Sequence, residues 1–236
     1  LASMGIYIFT WKVLRDALIK MKDVPGCDFG KHILPECLAK GERLFAYEYN
    51  GYWKDVGTLG SYWEANMELI DIIPEFNLYE KCWKIYTKSG AVPPLYVSST
   101  GYIEKSIVSG KSIVEGTVIN SVIGAGVTIG EGTEVRDSII MKNTVIGKGC
   151  RVSRAIIAEE VTVGDGCVIG EGEDIPNRLN PKVYSYGLAT IGEKTVIPPN
   201  VHIGLNTAVS GATKSDDYPD GVLASGETLI KAGERV

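Results

Sequence analysis

Hydrophobic and polar positions follow two different periods along this chain of 236 residues. From about residue 106, one aliphatic residue recurs every five or six positions, three successive steps sum mostly to 17, and a glycine often follows. This pattern is typical of hexapeptide repeats, in which short strands point aliphatic side chains into a three-sided parallel β-helix and residues one coil apart stack. The recurring positions are Val118, Ile123, Ile129, Val135, Met141, Ile146, Val152, Ala158, Val163 and Ile169.

The repeat predicts a β-helix domain over residues 106–236, with a loop inserted at 171–189 where prolines and asparagines replace the aliphatic positions. One further coil is predicted around Ile191, Ile197 and Ile203, and the acidic tail after Lys214 is expected to leave the prism and cover its end. Residues 133, 150 and 167 (Thr, Cys, Cys) are also 17 apart, and a stacked column of small side chains is favoured over a disulfide or metal pair.

Residues 1–82 follow a mixed α/β pattern instead. Alternating or apolar runs predict strands at 5–9, 44–49 and 52–55, with an Asn50-Gly51 turn between the last two. Helical spacing predicts helices that begin after Thr10 and Asp28, and a capping box of Ser61 and Glu64 predicts a third over 62–70. The Pro-, Ser- and Gly-containing stretch 83–105 is predicted to be a connector.

Composition narrows the class of protein. The formal net charge of −5 argues against a nucleic-acid binder, and no apolar run approaches the roughly 20 residues that a membrane-spanning helix needs. The start shows no secretory signal, and the five cysteines have neither CxxC nor metal-ligand spacing. We therefore expect a cytoplasmic protein with free thiols and no membrane partner.

Four sequence strings in the first half resemble successive motifs of bacterial glucose-1-phosphate adenylyltransferases (ADP-glucose pyrophosphorylases). They occur in the same order and spacing, and a β-helix follows them as it does in that family. The resemblance implies an α/β fold followed by an all-β domain, namely part of a Rossmann-like nucleotidyltransferase domain and a left-handed parallel β-helix. The strings are Ser3–Phe9, Asp28–Lys31, Tyr52–Thr58 and Tyr62–Asn66.

The same resemblance implies a reaction and a site. Glucose 1-phosphate would attack the α-phosphorus of ATP, giving ADP-glucose and pyrophosphate for glycogen synthesis, with Mg²⁺ held by carboxylates. Asp55 matches the family's metal-holding catalytic aspartate, and Ser3 matches a serine that contacts glucose 1-phosphate. Asp28 is a possible supporting residue, although a helix cap is favoured for it. The family also implies a homotetramer with an anionic allosteric effector.

The chain departs from the family pattern near its start. It contains no glycine-rich nucleotide-binding fingerprint, and neither the partner aspartate nor the Glu-Lys pair that the family places upstream. We expect these residues to correspond to the C-terminal part of such an enzyme, lacking the N-terminal nucleotide-binding region, and to be inactive by themselves.

Three alternatives stay open on the sequence. A hexapeptide-repeat acyltransferase would need a histidine base, and only His32 and His202 are available. A non-catalytic regulatory paralogue of the same family would have no need of Asp55. A related enzyme using another sugar phosphate or base is the third.

Overall fold

The computed structural model describes residues 3–82, 86 and 91–231, which belong to two compact units, Leu1–Trp53 and Lys54–Val236. The first unit is helical. It contains α1 (Trp11–Met21), a π-helical turn (Phe29–Ile33) and α2 (Leu34–Ala39). Its small core is built from the apolar stripe of α1 and from residues of the two following helical segments. The buried members are Ala17, Ile33 and Cys37, with Phe9, Val13, Leu14 and Met21 packed around them.

The helix starts predicted at Thr10 and Asp28 are confirmed. Thr10 has the extended backbone of an N-cap, although its side chain makes no capping hydrogen bond. Asp28 does cap the next helical turn, because its carboxylate accepts the N–H of Lys31 at 2.8 Å. Pro35 is the second residue of α2, which continues directly from the π-helical turn.

The strands predicted at 5–9, 44–49 and 52–55 are wrong for the described residues, since 3–82 contain no strand. A strand forms only when a neighbouring strand pairs with its backbone N–H and C=O groups, and these segments have no such ladder. Their apolar side chains are correspondingly exposed: Ile8 by 99% and Phe45 by 87%.

The second unit opens with α3 (Leu59–Glu68), which begins three residues earlier than predicted. Thr58 has extended backbone and its side chain accepts the N–H of Ser61, while the hydroxyl of Ser61 accepts the N–H of Thr58. The capping box is therefore Thr58 with Ser61. The predicted pairing of Ser61 with Glu64 is wrong, because the threonine already supplies a good cap one helical turn earlier.

Beyond α3 the described residues form 20 short parallel strands arranged as a prism. They are β1 (Tyr96–Val97), β2 (Tyr102–Glu104), β3 (Ile107–Val108), β4 (Ile113–Val114), β5 (Thr117–Ile119), β6 (Val122–Ile123), β7 (Thr128–Ile129), β8 (Glu134–Arg136), β9 (Ile139–Ile140), β10 (Val145–Ile146), β11 (Arg151–Ser153), β12 (Ala155–Ile157), β13 (Thr162–Val163), β14 (Val168–Ile169), β15 (Ala189–Ile191), β16 (Val196–Ile197), β17 (His202–Ile203), β18 (Thr207–Ser210), β19 (Val222–Leu223) and β20 (Thr228–Ile230).

Up to β18, every third strand pairs in parallel to make one face of the prism, and in the last coil β19 pairs with β17 and β20 with β18. The first face has the order β1-β4-β7-β10-β13-β16, the second β19-β17-β14-β11-β8-β5-β2, and the third β20-β18-β15-β12-β9-β6-β3. Equivalent residues of neighbouring coils are in register, as in Val118 with Val135 and Val135 with Val152. The predicted left-handed parallel β-helix is confirmed.

Two of the predicted inward positions are wrong. Ile140 and Ile157, rather than Met141 and Ala158, are the buried members of the third face. Two isoleucines stand side by side in β9 and again in β12, and alternation along a strand sends one inward and the other outward. From Ile123 to Ile157 the corrected inward series of the third face repeats every 17 residues, since Ile123 pairs with Ile140 and Ile140 with Ile157.

The column of small residues at one corner is confirmed. Thr133, Cys150 and Cys167 are buried, and both cysteines are free thiols. The hydroxyl oxygen of Thr133 accepts the backbone N–H of Cys150 at 3.0 Å, and each thiol donates to a carbonyl oxygen of the next coil. The column thus satisfies polar backbone atoms at a corner of the prism.

The first and last coils of the prism differ from the sequence prediction. Strands β1 and β2 lie inside the stretch 83–105 that was predicted as a connector, and its residues 83–85 and 87–90 fall outside the described part. The repeat pattern does not reveal this first coil, because it contains Pro93-Pro94 and a Ser-Ser-Thr-Gly turn and lacks the aliphatic–glycine pair. The tail after Lys214 makes two short 3-10 turns and then rejoins the prism as β19 and β20, so the expectation that it leaves the prism is wrong.

The inserted loop lies between β14 and β15. Ile157 pairs with Ile191 at a separation of 34 residues, twice the normal 17, so the chain departs from the prism and returns in register. Among the described residues, none of the helices has the length and apolar character needed to cross a bilayer.

Candidate functional site

Asp55 lies in an irregular segment immediately before α3, and its side chain is exposed. Its Oδ1 accepts the backbone N–H of Gly57 at 3.0 Å. This is a local Asx turn, in which a short carboxylate hydrogen-bonds to the backbone two residues on. The carboxylate is therefore oriented by its own backbone while it stays accessible to a ligand.

The segment Asp55–Gly57 is fixed to α3 at both ends. On one side the ammonium of Lys54 contacts Oε1 of Glu68 at 2.6 Å and Oε2 of Glu64 at 3.2 Å. The hydrogen bond to Glu68, followed by the one to Glu64, raises the pKa of Lys54. On the other side, Thr58 caps the same helix. The position of Asp55 thus depends on α3.

Helix α3 is in turn docked on the third face of the prism. The indole N–H of Trp63 donates to the carbonyl of Asp137 at 2.8 Å, and the guanidinium of Arg154 lies over the Trp63 ring, 5.1 Å from its centre. The outward isoleucines of β9 and β12 contact the apolar side of the helix. This cluster comprises Ile139, Ile156, Leu188, Leu59, Tyr62, Trp63, Met67 and Met141.

Ser3 and Asp28, the other two predicted site residues, lie in the first unit. Ser3 is exposed, its Oγ is 2.7 Å from the phenol oxygen of Tyr7 and it accepts the N–H of Gly5. The Tyr7 ring stacks on Phe29 with centroids 5.7 Å apart, and Phe29 follows Asp28 in the chain. Ser3 and Asp28 therefore border one aromatic cluster, with Asp28 in the role of helix cap.

The groups around Asp55 include several that sequence reasoning passed over. Lys54 and Glu64 both belong to the ion-pair network beside Asp55, a role that the sequence does not indicate. The spacing of 54, 64 and 68 gives no periodic signal because it joins a loop to a helix. The two adjacent isoleucines in β9 and in β12 are the signal that could have shown where the helix docks.

The chemistry of Asp55 fits a hard divalent cation. In the described residues, no three His, Cys, Asp or Glu side chains come together as a ready-made metal cage. Mg²⁺ does not need one, because it keeps several waters and is commonly bound by one or two carboxylates together with substrate phosphates. An exposed carboxylate whose orientation is fixed by Gly57 meets that requirement.

Neither histidine is placed as a general base for acyl transfer. The ring of His202 hydrogen-bonds through Nε2 to the backbone carbonyl of Glu171 at 2.9 Å, at the start of the insertion. His32 accepts the backbone N–H of Asp28 through Nδ1 at 3.0 Å. Both rings thus stabilise local backbone.

Two family models match the chain: "Nucleotidyl transferase" over residues 1–72 and "GlmU-like, C-terminal hexapeptide" over residues 96–191. Curated relatives match nearly its whole length. A glucose-1-phosphate adenylyltransferase of Lachnospira eligens is 63% identical over 234 residues, which is 99% of this chain and 55% of the relative. Proteins of the same name from Acetivibrio thermocellus and Thermotoga maritima are 44% and 47% identical over 99% and 98% of the chain, and in both cases 55% of the relative is covered.

Proposed function

Because the chain belongs to the family of the glucose-1-phosphate adenylyltransferases, we propose that the protein containing it transfers AMP from ATP to α-D-glucose 1-phosphate. A phosphate oxygen of the sugar attacks the α-phosphorus of ATP, the bond to the β-phosphate oxygen breaks, and ADP-glucose and pyrophosphate form. The chain spans about 55% of the length of the relatives it matches. The observation that carries the proposal is 63% identity over 99% of this chain, a stretch that includes Asp55.

In this proposal Asp55 holds Mg²⁺ and Ser3 contacts the sugar phosphate. The cation, when bound, neutralises charge on the reacting phosphates. The contribution of Asp55 is to present an oriented carboxylate, because Gly57 and the ion pair of Lys54 restrict the segment before binding. The hydroxyl of Ser3 can donate to a phosphate or sugar oxygen, and Asp28 supports the adjoining helical turn.

We also propose a cytoplasmic homotetramer that serves glycogen synthesis and responds to an anionic effector. The first face of the prism supports assembly, because its outward side chains form a flat ladder without a charged residue. Val145, for example, is 42% exposed. By contrast, the second face carries Glu134, Arg136 and Arg151. The members of the ladder are Tyr96, Ile113, Thr128, Val145, Thr162 and Val196.

The test of the reaction is Asp55→Asn in the enzyme that contains this chain. The amide keeps the size of the side chain but loses the negative charge, so pyrophosphate release is expected to fall by a factor on the order of 10²–10³. Asp71→Asn is the matched control, since it makes the same change just beyond α3, where Asp71 pairs with Lys105. Full turnover in Asp55→Asn would refute the assignment.

The same experiment tests the alternative that the chain belongs to a non-catalytic regulatory paralogue. A subunit without catalysis would lose nothing when Asp55 becomes an amide. Replacing glucose 1-phosphate and ATP by other sugar phosphates and nucleotides in the pyrophosphate assay separates the related sugar-nucleotide enzymes.

A further inference from the structure

Tyr186 has an unusual backbone for a bulky residue. Its φ is +72°, and Gly187 follows with φ +65°. A left-handed conformation is uncommon for a residue with a large side chain, and it persists only when surrounding contacts hold it. Glycine would adopt the same conformation without strain.

Two side chains hold this turn. The guanidinium of Arg154 donates to the carbonyl oxygens of Tyr186 and Gly187, the latter at 3.2 Å from Nε. The side-chain oxygen of Asn206 accepts the N–H of Gly187 at 2.8 Å, and Asn206 is itself buried in the prism. The inserted loop is thus attached to the prism at the residue with the strained backbone.

The strained turn directs the Tyr186 side chain at α3. Its ring contacts Trp63 at 6.2 Å between centroids, and its hydroxyl donates to Oε1 of Glu64. A Cβ at Gly60 would lie 3.0 Å from the Tyr186 ring, so the glycine at this position of the helix leaves room for it. The other carboxylate oxygen of Glu64 contacts the ammonium of Lys54, the residue before Asp55.

We propose that Tyr186 is a positioning residue for the carboxylate of Asp55, acting through Glu64 and Lys54. The inference rests on the proposed function, because it assumes that Asp55 binds the divalent cation. The hydroxyl of Tyr186 holds Glu64 in the orientation that receives Lys54, and Lys54 limits the motion of the segment in which Asp55 lies. The inserted loop of the prism therefore contributes to metal binding without touching the metal.

The experiment measures binding of Mn²⁺ by the enzyme in the presence of ADP-glucose, from the electron paramagnetic resonance signal of the free ion. Tyr186→Phe keeps the ring and removes the hydroxyl. Its Mn²⁺ dissociation constant is expected to rise about threefold to tenfold, the range that corresponds to the net contribution of one ordinary hydrogen bond. Tyr184→Phe, two residues earlier on the same loop, is the matched control and should bind Mn²⁺ like the parent.

Tyr186→Gly separates positioning from folding. It relieves the left-handed backbone but also removes the ring contact with Trp63, so the melting temperature should stay within about 4 °C of the parent, while Mn²⁺ binding should weaken as in Tyr186→Phe. Lys54→Met should also weaken binding, and Lys54→Arg should restore it. Parent-like Mn²⁺ affinity in Tyr186→Phe and Tyr186→Gly would overturn the proposal, as would equal weakening in Tyr184→Phe.

Asp55→Asn, measured alongside, keeps the two hypotheses apart. If it abolishes activity and Mn²⁺ binding while Tyr186→Phe changes neither, the positioning role fails and the proposed function stands. If Asp55→Asn retains both, the proposed function fails and the role of Tyr186 fails with it.

Discussion

Gly170, the residue directly after β14, allows the close stacking of neighbouring coils to be tested. Gly170 has φ +79°, and a Cβ built on it would lie 1.7 Å from the carbonyl oxygen of Ser153 in the preceding coil. Real Cβ atoms essentially never come within 3.0 Å of such an atom, so Gly170→Ala requires a backbone shift of more than an ångström. The matched control is Gly149→Ala, because Gly149 has φ +63° and nothing within 4 Å of its Cβ position.

Both substitutions place an alanine in a left-handed backbone, but only Gly170→Ala also creates a steric clash. An alanine in left-handed conformation loses roughly 1–2 kcal/mol, part of which is offset by the lower entropy of the unfolded chain. Gly149→Ala should therefore cost about 1 kcal/mol. Gly170→Ala adds a clash between β14 and β11, and its total cost should exceed about 4 kcal/mol, the range in which single substitutions are exceptional.

The assay is thermal unfolding followed by circular dichroism. For a chain of this size, 1 kcal/mol corresponds to roughly 2–4 °C, so Gly149→Ala should melt a few degrees below the parent. Gly170→Ala should melt more than about 10 °C lower or fail to fold. Equal melting temperatures for the two variants would refute the stacking of Gly170 against Ser153.

Single contacts and the burial of single side chains lead to three further predictions. Trp63→Phe should cost about 1–2 kcal/mol in thermal unfolding, because it loses the indole hydrogen bond to the prism and weakens the cation–π contact. In the native protein a thiol reagent should label Cys27 and Cys82 rapidly and the three buried thiols only on unfolding. Burial raises the pKa of Tyr218, so this phenol contributes stability below its ordinary pKa that is lost as the pH rises through the raised value. Tyr218→Phe should remove that part of the alkaline loss in pH-dependent melts, while at neutral pH it costs the hydrogen bond to Thr213.

The prism was predictable because its period is strict and depends on local spacing. The error at Met141 and Ala158 arose where aliphatic residues are adjacent, since a rule of one inward residue per step cannot choose between neighbours. Only the paired register shows that Ile140 and Ile157 continue the series. The tail was missed for a related reason: two turns separate it from the last regular coil.

The first unit was harder to predict because strand formation depends on a partner. Apolar alternation at 44–49 is a property of one segment, whereas a ladder needs two. At the candidate site, the motif around Asp55 could be found from sequence. The contacts that position this motif could not be found from sequence, because the hydroxyl of Tyr186 and the carboxylate of Glu64 are 122 positions apart in the chain.

Helix α3 packs against several consecutive coils of the prism, whereas each coil by itself contacts only the coils directly next to it. Ile139 and Ile156 come from successive strands of the third face, Leu188 directly precedes the next strand, and all three belong to one apolar cluster with residues of this helix. In a stack held by neighbour contacts alone, opening can begin anywhere and spread layer by layer. Because α3 packs against several layers, we expect the middle layers to open as one cooperative block. Amide hydrogen exchange should consequently be slowest there and increase towards both ends of the stack.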